Sequence, residues 1–87
     1  MAHHKSAKKR IRQTIKRTAR NKHVRATTRG TVKAVRLAIE AGDKSAAQEA
    51  LAKAVRRIDS AVSKGVYHRK TGSRYISRLS TQVAAMA

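Results

Sequence analysis

No cysteine, proline, phenylalanine or tryptophan occurs among the 87 residues, and only four side chains are acidic. Each absence removes a class of explanation. Without cysteine there is no disulfide and no thiolate metal site, which fits a reducing compartment. Without proline only glycine interrupts a helix, and the abundant Ala, Lys, Arg, Gln and Leu favour one. Tyr67 and Tyr75 are the only aromatics and 16 of the 35 hydrophobic residues are alanines, so the core is thin in a chain already near the lower size for an independent fold. No apolar stretch approaches the roughly 20 residues that cross a bilayer. The opening MAHHKSAKKR lacks the apolar centre of a secretory signal, so a soluble cytoplasmic or nuclear protein is expected. An enzyme finds no footing: there is no glycine-rich phosphate loop, no nucleophile elbow and no paired-carboxylate pocket.

What is present is positive charge. Lys and Arg number 22 and the formal net charge is +18, a balance typical of proteins that live against a polyanion. Residues 1–39 carry 13 Lys and Arg and no acid, residues 40–59 carry four of each sign, and residues 60–87 carry five Lys and Arg and no acid. Two basic regions flank a neutral middle. In the first, Lys8, Arg12, Lys16 and Arg20 stand four apart and stack as a column on a helix, where each like-charge pair costs roughly 0.2 to 0.5 kcal/mol. A partner supplying negative charge is implied.

Two breaks divide the chain into three helices. At EAGDKS, Gly42 suits a left-handed helix end, Asp43 or Ser45 caps the next helix, and Ser45 with Gln48 forms a capping-box pattern. At SKGVYH, Gly65 plays the same part as Gly42. Apolar stripes agree: Thr28, Val32, Val35 and Ile39; then Ala47, Leu51, Ala54 or Val55, Ile58 and Val62; then Ile76, Leu79, Val83 and Met86. The expectation is one all-α domain over residues 1–87, an antiparallel three-helix bundle with helices near 6–41, 44–64 and 69–86. At about 1.5 Å per residue the first helix is roughly 54 Å long, about twice what its partners cover, so residues 1–25 form a basic overhang. Its narrow apolar line, Ala7, Ile11, Ile15 and Ala19, suggests a segment frayed when free and helical when bound. Gly30 reads as a kink; Gly72 reads either as a close approach or as a sign that the third helix starts at Ser73.

The overhang offers Lys5, Lys8, Lys9, Arg10, Arg12, Lys16, Arg17, Arg20, Lys22, Arg25 and Arg29 for phosphate contact, although KKRIR alone also fits a nuclear-import signal. A second cluster is Lys64, His68, Arg69, Lys70, Arg74 and Arg78, with a solvated outer face as its plain alternative. His68 either caps the third helix or meets a phosphate, and the two tyrosines either plug the core or stack on bases. His3 and His4 invite a copper or nickel reading, but a simple terminus explains them and no metal or cofactor is expected. Zinc-finger spacing, RNP aromatics and a leucine zipper are all missing, so recognition by shape and backbone is expected. The same charge logic serves a nucleoid-type DNA-compacting protein. A membrane-active helix is disfavoured because residues 5–25 offer only Ile11, Ile15 and Val24 as large apolar side chains.

The motifs KSAKKRIRQ with RNK following, AIEAGDKSAAQEAL and KGVYHRKTGSRYISRL together resemble the bacterial small-subunit ribosomal protein S-twenty family across the whole chain. The last stretch matches the patterns K-G-x-x-H-[KR] and R-x-x-S-R-L. The resemblance implies a three-helix bundle with a long first helix that binds 16S ribosomal RNA during assembly of the small subunit. It also implies a place bridging the 5′ domain and the lower end of the 3′ minor-domain helix. By matching position, Lys5, Ser6, Lys8, Lys9, Arg10, Arg12 and Gln13 fall in the RNA-embedded segment, and Lys64, Gly65, His68, Arg69, Arg74, Ser77, Arg78 and Leu79 fall in the C-terminal motif; Asn21, in the RNK stretch, is a further RNA-contact candidate. The chain departs from the family pattern at His3-His4 and at Thr71-Gly72, and it has no basic tail.

Overall fold

The computed structural model describes residues 2–87, with side chains from residue 5 onward, as three helices: α1 (Ala2–Glu40), α2 (Lys44–Ser63) and α3 (Arg69–Ala84). Both turns are closed by glycine in the left-handed region, Gly42 at φ 73° and Gly65 at φ 75°. At the first, Gly42 N–H donates to the Ile39 carbonyl at 3.0 Å and Asp43 N–H to the Ala38 carbonyl at 3.2 Å. At the second, Gly65 N–H reaches Val62 at 3.0 Å and Val66 N–H reaches Ala61 at 2.9 Å. These paired bonds satisfy carbonyls that a helix end otherwise leaves orphaned.

Asp43, not a Ser45–Gln48 box, caps α2: its carboxylate accepts from Ala46 N–H at 3.1 Å. The carboxylate stands at the residue just before the helix, where it reaches the third amide; Ser45 is already inside α2. Asp43→Ala is therefore expected to lower unfolding stability by about 0.5 to 2 kcal/mol. Ser45→Ala, compared in the same urea titration, should leave it nearly unchanged.

α2 is the central element, packed against both neighbours, while α1 and α3 touch each other little. The main core joins Val35 of α1 to Ala47, Ala54 and Ile58 of α2 and to Leu79 and Val83 of α3, with Val32, Ile39, Leu51, Ile76 and Met86 half-buried around it. A second cluster at the other end joins Val24, Ala61 and Val66, with Tyr67 against it. Lys44 Nζ donates to the Met86 carbonyl at 3.3 Å, bringing the start of α2 to the end of α3 as antiparallel packing requires. Thr28, 2% exposed, is the one polar side chain buried in this packing among the described residues, and its hydroxyl donates to the Val24 carbonyl at 2.8 Å.

Several expectations change. α1 starts at Ala2 rather than near residue 6, and it is one continuous helix through the charged column. Three like-charge pairs cost only about 1 kcal/mol, spread over a stretch of good helix formers without proline. Packing also reaches one turn further into α1 than expected, since Val24 is buried.

The two helical glycines differ. α1 runs through Gly30 without a break, and a Cβ there meets nothing within 4 Å. Gly72 lies inside α3, where a Cβ would stand 2.6 Å from Val62 Cγ2 and 3.3 Å from Ile58 Cγ2. The close-approach reading is correct, and α3 starts at Arg69. Substitutions should have opposite signs. Gly30→Ala is expected to stabilise by up to about 1 kcal/mol through helix propensity. Gly72→Ala should destabilise by up to about 2 kcal/mol, because overpacking against a stiff valine outweighs that gain. Thermal unfolding of the two variants side by side checks both.

Candidate nucleic-acid interface

The N-terminal half of α1 is a cationic rod. Every residue from 5 to 20 is exposed, including Ser6, Gln13 and all eight basic residues: Lys5, Lys8, Lys9, Arg10, Arg12, Lys16, Arg17 and Arg20. The molecule measures 66 × 21 × 14 Å, so this rod stands clear of the two shorter helices. Cations point to several sides of it. Lys9, Arg12, Gln13 and Lys16 share one shallow depression, and Arg10 shares another with Ala7, Ile11, Thr14 and Ile15. Ile11 and Ile15 remain 59% and 63% exposed, so the apolar line has no partner within the chain.

Where the rod enters the bundle, Asn21 is half-buried and its Oδ1 is buried without a hydrogen-bond partner. Lys22, Arg25 and Arg29 stay exposed beside it and share a shallow surface with Asn21. An unpaired buried carbonyl costs about 1 to 3 kcal/mol.

The second cluster forms around the start of α3. Gly65 supplies the left-handed turn, and its role in the fold is conformational. His68 caps α3, its Nδ1 accepting from Lys70 N–H at 3.1 Å. That places the neutral ring's proton on Nε2, so capping and donation to an oxygen of a partner are compatible. Lys64, Arg69, Lys70, Arg74 and Arg78 are all exposed, the last three on successive turns of one face.

A groove of about 740 Å³ separates α1 from α3. Arg25, Arg29, Lys33 and Arg36 form its α1 wall, Arg78 and Gln82 its α3 wall, with Val32 and Leu79 below. Tyr67 and Tyr75 also line it, ring centroids 5.9 Å apart at 87°, an edge-to-face pair. Tyr67 is half-buried against the second cluster, whereas Tyr75 is 38% exposed. The core reading thus fits Tyr67 and fails for Tyr75. Lys33, Arg36 and Gln82 were not among the sequence-derived candidates. A signal existed: Arg25, Arg29, Lys33 and Arg36 continue a 4-4-3 spacing, and Arg74, Arg78 and Gln82 repeat every fourth residue.

Among the described residues no group of three His, Cys, Asp or Glu is placed to hold a metal ion, and the side chains of His3 and His4 lie outside the described residues. Among the described residues no helix is long and apolar enough to cross a membrane.

Residues 2–84 match the family model described as Ribosomal protein S20. The chain is 54% identical to the small ribosomal subunit protein bS20 of Geotalea daltonii over the full length of both. It is 58% identical to that of Geotalea uraniireducens over 95% of each chain, and 51% identical to that of Campylobacter fetus over 100% of this chain and 99% of the relative. With a cation-studded overhang, a glycine-closed three-helix bundle and this similarity along its whole length, the chain belongs to the ribosomal protein S20 family of the small ribosomal subunit.

Proposed function

We propose that this protein is a non-catalytic constituent of the cytoplasmic small ribosomal subunit that binds 16S ribosomal RNA directly and stabilises its fold during assembly. The observation that carries this reading is the rod of residues 5–20, fully exposed with eight Lys and Arg and no acid. A cationic rod with charge on several sides suits insertion between converging RNA helices better than rest on one surface. Its contacts are with phosphates: Lys5, Lys8, Lys9, Arg10, Arg12, Lys16, Arg17 and Arg20 replace counterions, with Ser6 and Gln13 as neutral hydrogen-bonding neighbours.

Lys22, Arg25 and Arg29, with Asn21, extend this surface into the bundle, and Lys64, His68, Arg69, Lys70, Arg74 and Arg78 form a second phosphate-contacting face. Two separate cationic surfaces suit a protein that ties the 5′ domain to the lower end of the 3′ minor-domain helix. The test is sedimentation of a cell lysate, in which the protein should travel with small subunits and their precursors. Co-sedimentation with bulk DNA, combined with tighter binding of duplex DNA than of 16S RNA at equal salt, would favour nucleoid compaction instead.

A further inference from the structure

We propose that the groove between α1 and α3 holds one unpaired nucleotide of the bound RNA, its base laid on Tyr75 and its phosphate among Arg25, Arg29 and Arg78. The inference rests on the RNA-binding reading above and adds the conformation of the ligand. The groove differs from the rod in shape and chemistry. The rod is convex and takes backbone; the groove is concave, about 740 Å³, within the roughly 300–1,000 Å³ of small-ligand sites. It exists because α2 holds both neighbours while α1 and α3 scarcely meet.

Its walls carry five cations and no acid, so the occupant is anionic. Its apolar floor and exposed Tyr75 require that the same occupant also present a flat apolar face. A base within a duplex is covered on both faces by its neighbours and offers only edges, whereas an unstacked base offers a whole face. The edge-to-face contact with half-buried Tyr67 orients the Tyr75 ring beforehand, so little freedom is lost when a base lies on it. Thr28 does not compete for the ligand, because its hydroxyl is bonded to Val24. Gln82 offers both donor and acceptor at the far end of the α3 wall, suited to a base edge.

The test uses the full chain and two probes with equal numbers of phosphates: single-stranded oligoadenylate and a fully paired RNA duplex. The single strand should quench tyrosine fluorescence and the duplex should not. Tyr75→Leu should weaken the single strand by roughly 5- to 150-fold, the range of base–aromatic stacking, and leave the duplex within about twofold. Tyr75→Phe should behave as the parent. Arg78→Gln, on the exposed face of α3, gives a second readout that keeps both tyrosines and should also weaken the single strand more than the duplex. Equal effects of Tyr75→Leu and Arg78→Gln on both probes, or no effect on either, would overturn the proposal while leaving RNA binding intact. Tyr75-dependent binding of polyglutamate at matching affinity would overturn it in favour of an acidic peptide. Failure of the parent chain to bind either RNA would remove the RNA-binding reading itself, and this proposal with it.

Discussion

Raising salt from about 50 to about 200 mM is expected to weaken binding of 16S RNA by roughly 10³- to 10⁵-fold, the loss associated with six to ten phosphate contacts on DNA. The geometry explains why so much of the affinity should be ionic. All eight cations of residues 5–20 are exposed, so each is free to displace a counterion without first giving up an internal partner. Along α1 the nearest acid, Glu40, lies 20 residues beyond Arg20, roughly 30 Å along the helix. That is about three Debye lengths at 0.1 M salt. Lys53, Arg56 and Arg57 on α2 share their segment with Glu49 and Asp59, and their replacement by glutamine should change the salt slope little. Filter binding or fluorescence titration across the salt range checks both statements.

Ile58→Ala should cost about 2 to 5 kcal/mol, a large share of the roughly 5–15 kcal/mol typical of a native domain. Ile58 is fully buried in the main core and also borders the approach of α3 at Gly72. Truncation therefore removes a large buried side chain where Gly72 of α3 packs on α2, and the neighbouring backbones cannot collapse fully into the space. For a domain of this size each kcal/mol shifts the melting temperature by about 4–8 °C, so a fall of at least roughly 10 °C is expected. Ile11→Ala and Ile15→Ala delete equally large apolar groups from exposed positions and should leave the melting temperature within a few degrees. Calorimetry of the three variants separates packing from composition.

The three helices were legible because helix formers run unbroken and glycine alone punctuates them; Gly42 and Gly65 act as their positions suggested. The second cluster was harder to see. Ala61 gives no distinct signal in a chain with 16 alanines, and Val66 sits in a turn outside any helical period. Gly72 is ambiguous in the sequence because glycine serves equally to end a helix and to admit a neighbour; the start of α3 at Arg69 and the closeness of Val62 and Ile58 separate the two. The α1–α3 groove was illegible for a topological reason, since it lies between helices that are not consecutive. Periodicity shows which face of a helix is apolar, but not which two faces stand apart. The charged column is readable from its four-residue spacing, and a repulsion of about 1 kcal/mol is small beside the helix propensity of the residues that carry it.

The most direct measurement replaces all eight Lys and Arg of residues 5–20 with glutamine in the full-length chain and determines 16S RNA affinity across a salt series. The predicted result is a salt slope shallower by roughly six, at about 0.7–0.9 for each phosphate no longer neutralised. The thermal unfolding of the bundle should be unchanged, because none of those residues is buried. A slope within about one unit of the parent would contradict the central claim that the overhang of α1 is the main RNA-binding element.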